Sequence, residues 1–267
     1  MNKIYNSFDF DKNTTILHIV ESGYASMSAQ WNWETKNPPF SRLYYMEDGE
    51  AEIIAEGQTL FLEKGFVYLL PTGFSLKNVS KKHMKQLFFH INIFDFADFD
   101  ILSVCKICDG IPTDDIPKLI SLYQSNNIID TLRLRQRINY DCIRFLEKSG
   151  CTLSNKNYSK TVQKGIKYIK QNLSASLKVS DICRNLLISK GTLNSAFRTE
   201  LGKSVGEYID YTVLEKSKIS LITSSAPISE ISDKLGFCDQ FYFSRKFKEK
   251  YGETPTEYRR NNFTSQS

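Results

Sequence analysis

The feature that most constrains this chain is a duplication in its last hundred residues. Residues 179–182 (VSDI) match residues 228–231 (ISEI) at an offset of 49, and the offset becomes 50 after a one-residue slip at Cys238. The match then continues through Phe197 and Phe247 to the Glu-Tyr pairs at 207–208 and 257–258. A repeat this close indicates one structural unit used twice.

Each copy has the pattern of two short helices joined by a tight connection. Ser189 and Asp239 stand where an N-cap is needed before the second helix, and Gly202 and Gly252 stand where it ends. Leu193, Phe197, Phe243 and Phe247 have the spacing of buried positions. This pattern is typical of a helix-turn-helix. Stacked solenoid repeats are an alternative, but they need at least three copies, and a long helix from Gly206 to about residue 223 separates these two.

The charge is concentrated in the same part of the chain. Residues 156–267 hold 19 Lys and Arg against 11 Asp and Glu, whereas residues 1–155 hold 16 against 19. This asymmetry suggests that only the C-terminal third meets a polyanion. A solvated basic face that binds nothing would give the same count.

Residues 228–259, ISEISDKLGFCDQFYFSRKFKEKYGETPTEYR, resemble the signature of AraC/XylS-family transcriptional regulators, and residues 179–202 resemble the family's first motif more loosely. The likeness covers about residues 160–260. It implies two helix-turn-helix units joined by a rigid helix, with their second helices in successive major-groove segments about 34 Å apart. It further implies a sequence-specific DNA-binding regulator and not an enzyme. Its partners would be double-stranded DNA, RNA polymerase and a small-molecule effector.

The resemblance also assigns DNA-facing side chains. Asn194 and Gln240 could pair with adenine, Arg245 with guanine, and Phe241 or Tyr242 with a thymine methyl, while Arg198, Lys246 and Lys248 would hold phosphates. Family members often carry Arg where this chain has Ser195, which reaches less far. For several of these side chains a role in the core or on the phosphates alone remains open. The full predicted set is Lys190, Gly191, Asn194, Ser195, Arg198, Gln240, Phe241, Tyr242, Arg245, Lys246 and Lys248.

The front of the chain has a different pattern. Short aromatic and β-branched runs are separated by glycines at 49, 57, 65 and 73, a regular interval of eight that predicts antiparallel strands in a small sandwich or barrel. This part is similar to the cupin-like sensor domain of many family members. The predicted fold class is α+β. Its three parts are a cupin-like domain (1–95), a helical linker (96–155) and a tandem helix-turn-helix domain (156–263).

Residues 116–149 have helical periodicity, with one apolar stripe through Leu134, Ile138, Cys142 and Phe145. Such a helix could pack within the chain or pair with its twin, and a homodimer is expected.

The front domain is expected to hold a small effector in a dry pocket. The candidate lining residues are Trp31, Trp33, Phe40, Arg42, Tyr44, Tyr45 and Phe88, of which Arg42 would anchor an anionic group; most could equally be ordinary core. No cofactor or metal is expected. The three histidines lack a metal-ligand spacing, and Cys105 and Cys108 form a lone CxxC.

Stretches without Asp, Glu, Lys or Arg reach only 12 residues, short of the roughly 20 that a membrane helix needs. The six scattered cysteines fit reduced thiols. A cytoplasmic protein without a membrane partner is therefore expected.

Overall fold

The computed structural model describes residues 15–27, 32–36, 38–79, 83–151 and 158–262. The described residues fall into two units. One unit contains Leu17–Phe94 and the chain from Asp100 to residue 151, and the other contains Asp95–Phe99 and the helices between residue 158 and Tyr258. This is an α+β chain with a strand-rich front and a helical C-terminal part. None of the described helices is long and apolar enough to cross a membrane.

The strand-rich unit is built around one long central strand, β3. The strands are β1 (Ile16–Met27), β2 (Asn32–Thr35), β3 (Ser41–Ala55), β4 (Gln58–Glu63), β5 (Phe66–Leu70), β6 (Leu76–Val79), β7 (Met84–Phe94) and β8 (Ile111–Pro112). The order β1-β7-β3-β5-β8 forms the main path, β4 and β6 pair with β3, and β2 pairs with β6. Among the described residues this path does not close, so the sheet is not shown to be a cupin-like barrel.

The regular glycines have two different roles in this sheet. Glu56 and Gly57 both have positive φ, 49° and 77°, and form the two-residue turn between β3 and β4. Gly49, predicted as a turn, instead lies inside β3, just after the register shift between Met46 and Asp48. A bulge there bends the strand without ending it, so two predicted short strands are one strand of 15 residues.

Two helices cover one face of the sheet. They are α1 (Ile116–Gln124) and α2 (Ile128–Lys148). The predicted stripe of α2 is buried and packs with β3, β5 and β7 residues in one core. Asp141 is fully buried on α2 and accepts hydrogen bonds from Tyr45 at 2.8 Å and Arg137 at 2.7 Å. The guanidinium groups of Arg137 and Arg144 pair with this carboxylate and offset the cost of burying its charge.

The helical unit contains seven helices in the described residues. They are α3 (Lys160–Gln171), α4 (Val179–Leu186), α5 (Lys190–Leu201), α6 (Val205–Thr223), α7 (Ile228–Lys234), α8 (Gln240–Tyr251) and α9 (Pro255–Asn262). Its core is one cluster that includes all four predicted buried positions, Leu193, Phe197, Phe243 and Phe247. Helix α3 approaches α5 closely at Gly165, where a Cβ would lie 2.7 Å from the Phe197 ring. In the segment Asp95–Phe99, the carbonyl of Ala97 accepts a hydrogen bond from Tyr208 at 3.1 Å.

Candidate nucleic-acid interface

Helices α4 and α5 form the first predicted helix pair. Helix α4 ends at Leu187, which has φ 54° in the left-handed region, and the side chain of Ser189 caps α5 by accepting from Thr192 N at 3.0 Å. Helix α5 ends at Gly202 with φ 69°. Both predicted caps are therefore present.

Helices α7 and α8 form the second pair with the same parts. Gly236 has φ 77° in the connection, and Asp239 accepts from Tyr242 N at 2.7 Å to cap α8. The backbone hydrogen bond from Tyr242 N and a side-chain hydrogen bond from the Cys238 thiol lower the pKa of Asp239. Helix α8 ends at Gly252 with φ 81°.

The residues after each pair repeat as well. Ser204 and Glu207 cap α6 reciprocally, with Glu207 N to Ser204 Oγ at 3.3 Å and Ser204 N to Glu207 Oε2 at 2.7 Å. Thr254 and Glu257 do the same for α9, at 3.2 and 2.8 Å. Each copy thus continues into a third helix that starts with a capping box.

On α5, four of the predicted residues are exposed: Lys190, Gly191, Ser195 and Arg198. Asn194 is half-buried, and its Oδ1 accepts a hydrogen bond from Val205 N at 3.0 Å. That oxygen is one of the two atoms that a bidentate contact with adenine needs. Besides the predicted contact with adenine, Asn194 therefore also holds the start of α6.

On α8, Phe241 is 76 % exposed, which does not fit a core aromatic, and Arg245 and Lys248 are also exposed. Gln240 and Tyr242 are half-buried, and the Arg245 guanidinium carbon lies 5.6 Å from the centroid of the Tyr242 ring. The exposed Phe241 ring can contact a thymine methyl group, and the exposed Arg245 guanidinium can contact a base edge.

Lys246 differs from the other predicted phosphate ligands. Its Nζ donates to Asp210 Oδ2 of α6 at 3.1 Å, and this partner raises the pKa of Lys246. Sequence spacing placed Lys246 on the same helix as Arg245 and Lys248, but it could not reveal a partner 36 residues away.

In the strand-rich unit, part of the predicted effector set meets around two buried polar side chains. The His90 ring stacks on Phe40 at 4.3 Å and its Nδ1 lies 2.9 Å from Glu21. Arg42 is 1 % exposed and lies 5.1 Å from the Phe40 ring centroid. Burial lowers the pKa of His90 to about 4, although Glu21 opposes the shift. His90 is therefore a neutral, hydrogen-bonded core histidine.

The remaining effector candidates divide between two clusters. Tyr44 and Phe88 are buried on one side of the sheet, whereas Tyr45 packs on the other, against Phe89. Neighbouring residues of a strand face opposite ways, so Tyr44 and Tyr45 cannot line one pocket. Trp31 and the side chain of Trp33 lie outside the described residues.

The two thiols of the CxxC differ in burial. Cys105 is buried, and burial raises its pKa to about 12, which disfavours the thiolate that metals bind. Among the described residues, no group of three or more His, Cys, Asp or Glu side chains is arranged to hold a metal ion.

Three features were not predicted from the sequence, although the last of them had a readable signal. Leu187 is 90 % exposed in its left-handed conformation, at the position that glycine 236 occupies in the second copy. Glu215 of α6 bonds to the end of α8. Helix α2 has a second, outer apolar stripe in which every member is more than half exposed: Ile128, Ile129, Leu132, Tyr140 and Ile143. The spacing of that stripe was readable in the sequence, since it too follows a helical period.

Comparison with known proteins identifies the helical unit. Residues 182–261 match the helix-turn-helix domain family. The chain is similar to the lactose operon transcription activator of Staphylococcus xylosus, 25 % identical over 234 residues that cover 82 % of this chain and 83 % of the relative.

Two further relatives have related names. The Msm operon regulatory protein of Streptococcus mutans is 23 % identical, covering 96 % of each chain. The arabinose operon regulatory protein of Escherichia coli is 32 % identical over 99 residues, or 37 % of this chain and 34 % of the relative. All three are named as regulators and none as an enzyme, in agreement with the sequence. Residues 182–261 are thus a helix-turn-helix domain, and the chain is similar to operon regulators of the AraC/XylS type.

Proposed function

We propose that the chain reads two blocks of double-stranded DNA with α5 and α8 and thereby controls transcription of an operon. The duplicated, capped helix pair carries this proposal. Both second helices expose basic side chains, Lys190 and Arg198 on α5 and Arg245 and Lys248 on α8. Two such helices fit successive major-groove segments about one helical turn apart.

In this proposal, α8 makes more of the base contacts than α5 does. Arg245 pairs with guanine and Phe241 contacts a thymine methyl, because both project freely from the first half of α8. Lys190 can reach a guanine or a phosphate, whereas Ser195 contacts bases weakly. Gln240 and Tyr242 support the reading surface of α8, and Arg198 and Lys248 hold phosphates.

The outer stripe of α2 supports pairing with a second copy of the chain. Four of its five members are related symmetrically about Gln136, so that an antiparallel partner would place Ile129 opposite Ile143 and Leu132 opposite Tyr140. A two-fold interface needs this kind of self-complementary surface. Leu132→Glu should make the protein monomeric in sedimentation, whereas a dimer of unchanged stability would contradict this assignment.

The buried group of Arg42, His90 and Phe40 supports an effector role for the strand-rich unit. A cation that is 1 % exposed beside an aromatic ring is suited to an anionic or polar small molecule. Because two of the relatives carry sugars in their names, lactose and arabinose, sugars are the first class to test.

The decisive experiment is selection of binders from random duplex DNA by the full-length protein at fixed near-physiological salt. The expected result is a motif with two blocks about ten base pairs apart. Arg245→Ala should relax one base position, and Lys248→Ala should weaken all sequences alike and lower the salt slope by about 1. Salt-sensitive binding without an enriched sequence would contradict the proposal.

A further inference from the structure

Helix α6 contacts both reading helices at different points along its 19 residues. Its first half holds α5. Val205 N donates to Asn194 Oδ1 at 3.0 Å, and the rings of Tyr208 and Phe197 meet edge to face with centroids 5.5 Å apart. The position of α5 is therefore fixed to the start of α6.

The end of α8 is held by the carboxylate of Glu215 and by the Tyr211 carbonyl of α6, which accepts from Lys250 Nζ at 3.2 Å. Glu215 Oε1 accepts from the Tyr251 hydroxyl at 3.0 Å and lies 3.5 Å from Lys250 Nζ. Its other oxygen pairs with Lys218 of α6 at 2.7 Å. The ion pair of Asp210 with Lys246 lies one turn nearer the start of both helices.

This group is partly shielded from water, so its charges attract more strongly than surface charges do. The Lys218 side chain is only 9 % exposed. Burial alone would raise the pKa of Glu215, but Lys218, Lys250 and Tyr251 outweigh it and the pKa is lowered. Burial lowers the pKa of Lys250 to about 8, with Glu215 opposing the shift. The carboxylate is thus ionised and has partners on both helices.

The anchor is at the opposite end of α8 from the residues that face DNA. A helix rises about 1.5 Å per residue, so residues 240 and 251 lie about 16 Å apart along the axis. Arg245 lies six residues from Tyr251, about 9 Å along the axis, so a rotation of about 20° at the anchored end would move it by about 3 Å, nearly the ~3.4 Å step between base pairs. A change of that size at Glu215 is therefore large enough to change which base pair Arg245 meets.

We propose that Glu215 is a positioning residue that sets the number of base pairs between the two blocks. It does so by holding Lys250 and Tyr251 at the end of α8, while the first half of α6 holds α5. It touches no DNA itself. The inference rests on the proposed reading of two blocks.

The test measures spacing preference with the full-length protein. The duplex selected by the wild type is rebuilt with one or two base pairs removed from or added between the blocks, and affinities are measured by fluorescence anisotropy at one salt concentration. The wild type should lose about tenfold for each single-base-pair change. Glu215→Gln should lose about threefold or less, because α8 can then follow the displaced block. Base preferences inside each block should stay unchanged.

Two further variants separate positioning from folding and from charge. Tyr251→Phe removes only the hydroxyl and keeps the ring, which packs 4.6 Å from Phe247, so it should broaden the spacing preference even if Glu215→Gln fails to fold. Glu230→Gln makes the same charge change in an ion pair within α7, with Lys234 at 2.7 Å, and should retain the wild-type preference.

The alternatives have distinct outcomes. If Glu215→Gln folds and keeps the tenfold preference, Glu215 does not set the spacing. A wild type that binds all spacings equally would overturn this proposal but leave the reading of two blocks intact. A wild type that selects no two-block motif would overturn both.

Discussion

The two helix pairs share one framework but present different surfaces to solvent. Their N-caps, glycine ends and capping boxes occupy corresponding positions, and the edge-to-face contact of Phe197 with Tyr208 at 5.5 Å recurs in Phe247 with Tyr258 at 5.3 Å. The exposed positions correspond only in part. Arg198 matches Lys248, but where the second pair has Phe241 and Arg245, the first has Gly191 and Ser195. The two copies thus share the residues that build the unit and differ at several positions proposed to face DNA.

The connections differ in a similar way. The first pair has an exposed leucine in the left-handed conformation, whereas the second has Gly236 packed close to Ser174. The backbone at Leu187 is therefore strained, but its side chain has open space around it. The backbone at Gly236 is not strained, but there is no room for a Cβ. Substitutions in the two turns should act in opposite directions.

The largest expected effect tests whether the two cores are equivalent. Phe197→Ala and Phe247→Ala each remove a fully buried ring, and each should cost about 3–5 kcal/mol of unfolding free energy. Urea unfolding followed by far-UV circular dichroism measures both. Losses that differ by more than about 2 kcal/mol would show that one pair stabilises the domain more than the other.

A smaller loss is expected for Gly236→Ala, about 2–3 kcal/mol. The added Cβ would meet Ser174 Oγ at 2.0 Å and would stand at φ 77°. Gly252→Ala is the matched control, because its φ is 81° but no atom lies within 4 Å of the added Cβ. It should cost only about 1 kcal/mol, from backbone strain alone. Equal losses would rule out the close contact at Gly236 as a cause.

The reading surfaces are compared by Arg245→Ala and Ser195→Ala in binding assays on the selected duplex. Arg245→Ala should weaken specific binding by about 1–3 kcal/mol, and Ser195→Ala by less than about 0.5 kcal/mol. The physical reason is reach, since a guanidinium can make two hydrogen bonds to guanine. A larger loss at Ser195 would reverse the proposed division of work.

The smallest expected change in stability is a gain. Leu187→Gly relieves about 1 kcal/mol of left-handed strain, offset by the greater freedom of glycine in the unfolded chain, and should stabilise by about 0.5 kcal/mol. No packing is lost, because the side chain is 90 % exposed. Destabilisation in the same unfolding assay would mean that the side chain makes contacts in the folded protein.

The sequence predicted the helical unit well because its signals are local. An N-cap needs a side-chain oxygen two or three residues before a free amide, as Ser189 and Asp239 provide, and the helix end needs a residue that adopts positive φ, as Gly202 and Gly252 do. The buried aromatic positions also follow from the helical period. The local structure at these positions therefore depends mainly on residues close to them in the sequence.

The strand-rich unit and the ion pairs were less predictable because they depend on distant partners. The bulge before Gly49 joins two runs that looked separate, and its cause lies in the register with β7. In the sequence, Lys246 and Lys250 have no recognisable acidic partner. In the structure, Asp210 and Glu215 of α6 pair with them. The spacing of charged residues along a helix does not indicate an ion-pair partner 35 residues away in the sequence.

The capping boxes have one more consequence, for engineering. Helix α9 starts as α6 does, but it has 8 residues where α6 has 19. Its described part therefore corresponds to the first part of the joining helix α6. On the proposed reading of DNA by α5 and α8, lengthening α9 to the size of α6 and adding another copy of residues 228–262 should give a scaffold with three reading helices and a target site that is longer by one block.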